Sequence, residues 1–165
     1  MHVNLSVVEL RDPDLVKNVV ASIDASGIDP SQLVIEITES QLLAAASVER
    51  FHELRALGIK IALDDFGTGY SSLSYLHSLP LDTLKIAKPF IDGLTSGRRE
   101  SSFVGMIVDL ARTLELEVIA EGIETPEQLA ALRELRAGPA SVLGQGYFLG
   151  RPSAAAPHLA RTTRT

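Results

Sequence analysis

Short apolar runs alternate along the chain with segments whose apolar residues recur every three or four positions, and the alternation repeats five to six times. That is a β/α pattern. Val3 to Ser6 predicts a short strand, and Asp12-Pro13 supplies an N-cap and first-turn proline ahead of Leu15, Val16, Val19, Val20 and Ile23 at helical spacing. Gly27 ends that helix. Leu33 to Ile37 predicts a buried strand, followed by a helix carrying Val48, Phe51 and Leu54 that closes near Gly58, and Ile59 to Leu63 is the third strand. A Gly- and Ser-rich loop, DDFGTGYSS, leads to a short helix around Leu73 and Leu76, and Pro80 turns the chain into a fourth strand at Thr83 to Ile86. Phe103, Met106, Ile107, Leu110, Ala111 and Leu114 keep helical spacing and predict a core-facing stripe. Val118 to Ala120 is strand five, and Thr125-Pro126-Glu127-Gln128 has the form of a capping box opening a helix with Leu129, Leu132 and Leu135. A sixth strand falls near Ser141 to Leu143, and the Ala-, Pro- and Arg-rich stretch from Ser153 has no apolar period.

Units of roughly 30 residues match either an open doubly wound sheet or part of a (β/α)8 barrel, whose full form takes about 250 residues. Length alone does not choose between them. The polar residues are more informative, because Asn4, Glu36, Asp64, Asp65, Lys85, Glu121 and Glu124 all fall in or just after a strand. In such folds the carboxyl ends of the strands are where sites are built.

Composition narrows the chemistry. Apolar residues make up 45% of the 165, enough for one real core, and 15 Lys+Arg against 21 Asp+Glu leave a net charge of −6. An acidic chain is a poor general binder of nucleic-acid polymers or membrane surfaces, both of which need a basic face. The absence of cysteine excludes disulfides, thiolate zinc sites and cysteine nucleophiles. No apolar run approaches the ~18 residues of a membrane span, so the expected location is the cytoplasm.

Carboxylates and an amide gathered at neighbouring strand ends repel one another unless cations sit between them. All are oxygen donors, and the four histidines are read as lying away from the strand ends, so a hard ion, Mg²⁺ or Mn²⁺, is expected rather than zinc. Each residue also has a plainer reading. Asn4, Glu36, Glu39, Glu121 and Glu124 taken singly suit a turn or a solvent-facing loop, whereas the Asp64-Asp65 pair and a lysine inside an apolar strand resist such an explanation. The minimal chemistry is metal-assisted displacement at a phosphodiester. GTGYSS lacks the spacing and lysine of a nucleotide P-loop.

Together VNLS, IEITES, IALDDFGTGYSSLSYL, LKIAKPF, VIAEGIET and GQGYFLGRP resemble, in order and spacing, the EAL family of bacterial cyclic di-GMP phosphodiesterases. The resemblance implies an α/β fold of the TIM-like barrel type, here partial, with about six of the eight β/α units, spanning residues 1–152 and followed by a tail at 153–165. It implies two Mg²⁺ or Mn²⁺ ions and a water that opens cyclic di-GMP to the linear dinucleotide. The family's metal-ligand pattern falls on Asn4, Glu36, Asp64, Asp65 and Glu121. Lys85 matches the lysine that contacts the attacking water, and Glu124 and Gln145 match residues around the metal-bound waters. Glu39 matches a residue that anchors the loop after Asp65, a loop associated in the family with dimerisation.

Three departures qualify the resemblance. The E-A-L signature strand lies upstream of VNLS in the family and is not among these residues. With it go a metal-ligating glutamate and a nearby arginine, so impaired hydrolysis is expected, with a cyclic di-GMP-binding or protein-interaction module as the alternative. Ala87 stands where the family usually has an aspartate, expected by alternation to face inward beside Lys85. The connection RAGPASVLG before Gln145 is longer than usual. An incomplete barrel also exposes strand edges, so the chain is expected to be oligomeric, completed by another segment, or poorly stable.

Overall fold

The computed structural model describes residues 1–44, 48–69, 73–135 and 142–153. Six parallel strands, β1 (His2–Asn4), β2 (Val34–Thr38), β3 (Lys60–Phe66), β4 (Thr83–Ile86), β5 (Glu117–Ala120) and β6 (Val142–Gly144), pair in chain order. Among the described residues eight α-helices connect them: α1 (Val7–Arg11), α2 (Leu15–Ser26), α3 (Glu39–Ala44), α4 (Glu49–Ala56), α5 (Leu73–Ser78), α6 (Lys88–Gly93), α7 (Arg98–Thr113) and α8 (Pro126–Leu135). Sequential order is the topology of a barrel wall; a doubly wound sheet reverses direction part-way.

The side-chain period of two divides every strand between two environments. Leu5, Ile35, Ile37, Ile61, Leu63, Leu84, Ile86, Val118, Ala120 and Val142 join one apolar cluster with helical residues including Leu15, Phe51, Leu54, Ile91, Val104, Val108 and Leu132. Burying each Val, Leu, Ile or Phe among them contributes about 1.5–3 kcal/mol, so this layer is the core. The intervening positions carry Asn4, Glu36, Thr38, Asp64, Thr83 and Lys85 on the other face. Helices packed over one face and polar residues on the other make an α/β sheet of the partial barrel type.

Several elements differ from expectation. The first strand is His2–Asn4, because Ser6 leaves it to cap α1: the Ser6 hydroxyl accepts from Glu9 N–H and the Glu9 carboxylate accepts from Ser6 N–H. Asp12-Pro13 lies between two helices; α2 starts after Asp14 and ends, as expected, at Gly27 in a left-handed conformation. The third strand continues through Asp64 and Asp65 to Phe66, with its register against β4 shifting between Leu63 and Phe66. The α7 stripe is rotated from the expected one: Val104, Ile107, Val108 and Ala111 are buried, Met106 is 67% exposed, and Phe103, 39% exposed, packs at a tilt against the Phe90 ring. The helix α6 was not expected; it follows Ala87, which caps it without a side-chain bond and is fully buried. Residues 136–141 of the long connection and residues 154–165 of the tail lie outside the described residues. No helix of the described residues is long and apolar enough to cross a membrane.

Candidate active site

Lys85 sits on β4 between Leu84 and Ile86, both fully buried in the core, so alternation turns its side chain to the opposite face. Only 4% of the residue is exposed. Burying an ammonium is costly without counter-charge, and three strands supply it. Nζ lies 2.8 Å from Glu36 Oε1 on β2, 3.0 Å from Asp64 Oδ1 on β3 and 2.7 Å from Glu121 Oε1 just after β5. Burial disfavours the charged lysine, but donation to Glu121, Glu36 and Asp64 prevails and raises its pKa well above the ordinary value. The carboxylates respond unequally. Glu36, although desolvated, is held below the usual range by hydrogen bonds from Lys85 and His2; desolvation dominates at Glu121 and, with the Asp64 and Glu36 charges nearby, raises it despite Lys85.

One ammonium does not neutralise three carboxylates, and a fourth stands close by. The register shift in β3 places consecutive aspartates at the same strand end, with Asp65 at φ 53°, a left-handed conformation that aspartate tolerates better than most residues. Oxygens of Asp64, Asp65 and Glu121 all lie within 4.8 Å of one another. An all-oxygen set of this density suits a hard divalent cation. Asn4 stands opposite Glu36 in the β1–β2 register, one strand further along the same mouth.

The surrounding loops are held from behind. Glu39 opens α3, is 3% exposed, and accepts through Oε2 from the N–H groups of Gly67 and Gly69 at 3.3 and 3.0 Å. A Cβ on Gly69 would come within 2.8 Å of that carboxyl carbon, so the loop packs closely against its acceptor. Thr125 and Gln128 form the expected capping box, and Gln128 Oε1 also takes the Glu124 N–H at 2.7 Å. Gln128 Nε2 donates to Asp92, which is paired with Lys88, and Lys88 reaches Glu124 at 3.3 Å. Gly122, at φ +73°, leaves room for the Lys88 stem, which would lie 2.4 Å from a Cβ. Glu124 thus belongs to an outer network with Lys88. Gln145 is tied to the loop by its main chain, donating to Ala120 O and accepting from Ile123 N–H.

The family model described as EAL domain matches residues 1–152. The chain is an EAL domain. MucR of Pseudomonas aeruginosa, named a bifunctional diguanylate cyclase/cyclic di-GMP phosphodiesterase, is 42% identical to this EAL domain over 160 residues, covering 96% of the chain and 23% of MucR. The solved MucR phosphodiesterase in complex with c-di-GMP superposes with a TM-score of 0.85 at 42% identity, over 95% of this chain and 63% of that one. BlrP1 of Klebsiella pneumoniae, solved with calcium and cyclic di-GMP, gives a TM-score of 0.81 at 30% identity, over 92% and 38% of the two chains. The chain spans 18%, 20% and 23% of the length of three curated relatives it matches.

Glu36, Asp64, Lys85 and Glu121, expected at one mouth, are in direct contact. All four histidines were expected to lie away from the strand ends. His2 instead lies within β1, and its Nδ1 is 2.7 Å from Glu36 Oε1. Alternation from Asn4 was the signal available for it. Lys88 and Asp92 were not expected there, Gln128 was expected only as a helix cap, and for Asp92 only the spacing of four from Lys88 hinted at a pair.

Proposed function

We propose that these residues form the cation-binding and water-positioning part of a cyclic di-GMP phosphodiesterase site. The observation that carries this reading is the convergence of Glu36, Asp64 and Glu121 on Lys85, with Asp65 adjoining. Asn4, Glu36, Asp64, Asp65 and Glu121 would hold Mg²⁺ or Mn²⁺. Bound there, such ions supply polarisation of phosphate oxygens and a more acidic water. Hydrolysis adds water oxygen to one phosphodiester phosphorus, breaks one P–O bond to ribose and returns a proton to the leaving oxygen. Lys85 holds Glu36, Asp64 and Glu121 with its three N–H groups and supplies positive charge beside the water, while Glu124 and Gln145 would stand around the metal-bound waters. Glu39 fixes the loop bearing Gly67 and Gly69, and so the position of Asp65. The relatives' names and the c-di-GMP complexes support the substrate assignment.

The 165 residues contain no E-A-L triplet, and a site short of one carboxylate binds its ions more weakly, so slow hydrolysis is the expectation for these residues alone. A second reading, a module that binds cyclic di-GMP without cutting it, is favoured by Lys85 itself, whose ammonium already bridges three of the carboxylates. Incubation with cyclic di-GMP and Mn²⁺ separates the two. Linear dinucleotide formed by the wild type and not by Lys85→Ala supports hydrolysis; saturable binding with equal background in both supports the binding module; neither binding nor product contradicts both.

A further inference from the structure

The cation site has a contact that neither the strand-end pattern nor the comparisons account for. Glu36 is 5% exposed, and a buried carboxylate needs donors on its oxygens. Lys85 is one, but its ammonium is divided among three carboxylates. The second donor is His2, two residues before Asn4 and so on the same face of β1. Its Nδ1 stands 2.7 Å from Glu36 Oε1, and since a carboxylate only accepts, Nδ1–H donates. Both donors fall on the same oxygen, Oε1.

Two donors on Oε1, from two different strands, hold the carboxylate in place and leave Oε2 as the oxygen offered to a cation. We propose that His2 is a positioning residue that orients Glu36 for divalent-cation binding; this rests on the metal reading of the site given above. The ring nitrogen facing the site is engaged with Glu36, which assigns His2 to holding a ligand rather than to being one through that atom. Donors behind a ligating carboxylate typically change metal affinity by about 10–100-fold when removed. The His2 side chain is 47% exposed, so its truncation opens no sealed cavity in the core.

The test uses Mn²⁺ alone, titrated at fixed pH into wild type, His2→Ala and His2→Asn, with free Mn²⁺ read by electron paramagnetic resonance. Thermal melting of each variant without metal checks the fold. Expected are Mn²⁺ binding weakened about 10-fold in His2→Ala, recovery of most of that loss in His2→Asn, whose amide N–H can occupy the place of Nδ1–H, and metal-free melting points close to wild type. Unchanged affinity in His2→Ala overturns the role of His2 while leaving the metal site intact. Equal weakness of His2→Asn and His2→Ala overturns it in favour of the ring as a direct ligand. Failure of the wild type to bind Mn²⁺ overturns the metal reading itself, and the positioning role with it.

Discussion

The two faces of the same six strands were built by opposite rules. On the helix-covered face, Ile35, Ile37, Ile61, Leu63, Leu84 and Ile86 are interchangeable in kind: what matters is that they are apolar and fill space. On the other face Lys85, Glu36, Asp64 and Glu121 depend on one another, since each is tolerable only because the others are within 3.0 Å of the ammonium. A single-residue step along β4, from Leu84 to Lys85, crosses from one regime to the other. The lesson is that the apolar face stabilises the fold and thereby holds in place a charged face that would not assemble on its own.

Substituting these two neighbours gives the sharpest contrast. Lys85→Met leaves Glu36, Asp64 and Glu121 facing one another with no counter-charge, and the metal-free protein should lose about 3–5 kcal/mol. Urea denaturation should show most of that loss recovered when Mn²⁺ is added. Leu84→Ala should cost about 2–5 kcal/mol through the cavity it opens, with no recovery beyond the wild-type response to Mn²⁺. Identical responses of the two variants to Mn²⁺ would erase the distinction between the faces.

A smaller effect is expected at Glu39, which is buried like a core residue but acts on the site. Glu39→Ala leaves the N–H groups of Gly67 and Gly69 without their acceptor, at a cost of about 1–3 kcal/mol. Hydrogen exchange should accelerate first at those two amides. Uniform acceleration throughout β3 would place Glu39 with the core instead.

The smallest effect is one of order in titration. Glu121 should protonate above the ordinary glutamate value of 4.5 and Glu36 below it. By linkage, the contribution of Glu36 to stability is present above 4.5 and lost as pH falls through its lowered value. Glu121 acts oppositely: its contribution is present below 4.5 and lost as pH rises through its raised value. Carboxyl carbon NMR of the metal-free protein resolves the two, and the reverse order would contradict the assignment of Lys85 and His2 as the donors that hold Glu36 charged. Cation binding, which needs both groups ionised, should weaken on acidification as Glu121 takes its proton.

Most of this was legible because burial leaves marks in a sequence. β2, β4 and β5 are apolar runs, and α8 announces itself by Thr125 and Gln128. Lys85 was conspicuous as a charge inside such a run. What stayed hidden depends on geometry that only the folded chain supplies. Ser6 and Glu9 spell a capping box, yet Val3 to Ser6 reads equally as a strand, and only the cap's closure decides. Asp65 looks like a loop residue because a register shift does not show in composition. Phe103 and Met106 share helical spacing with the buried stripe, and the rotation of α7 on the sheet, which period alone does not set, leaves them at the surface. His2 stayed hidden because it precedes the strand expected from Val3, and alternation from Asn4 points to it only once β1 is seen to begin at His2 and to lie beside β2.

The central claim is that the carboxylates at this mouth gather around divalent cations. Anomalous scattering from crystals grown with Mn²⁺ tests it most directly. Manganese is expected in direct contact with oxygens of Asp64 and Glu121 at the carboxyl ends of β3 and β5. Manganese bound only elsewhere on the surface, with Lys85 still closing the mouth at saturating Mn²⁺, would contradict it.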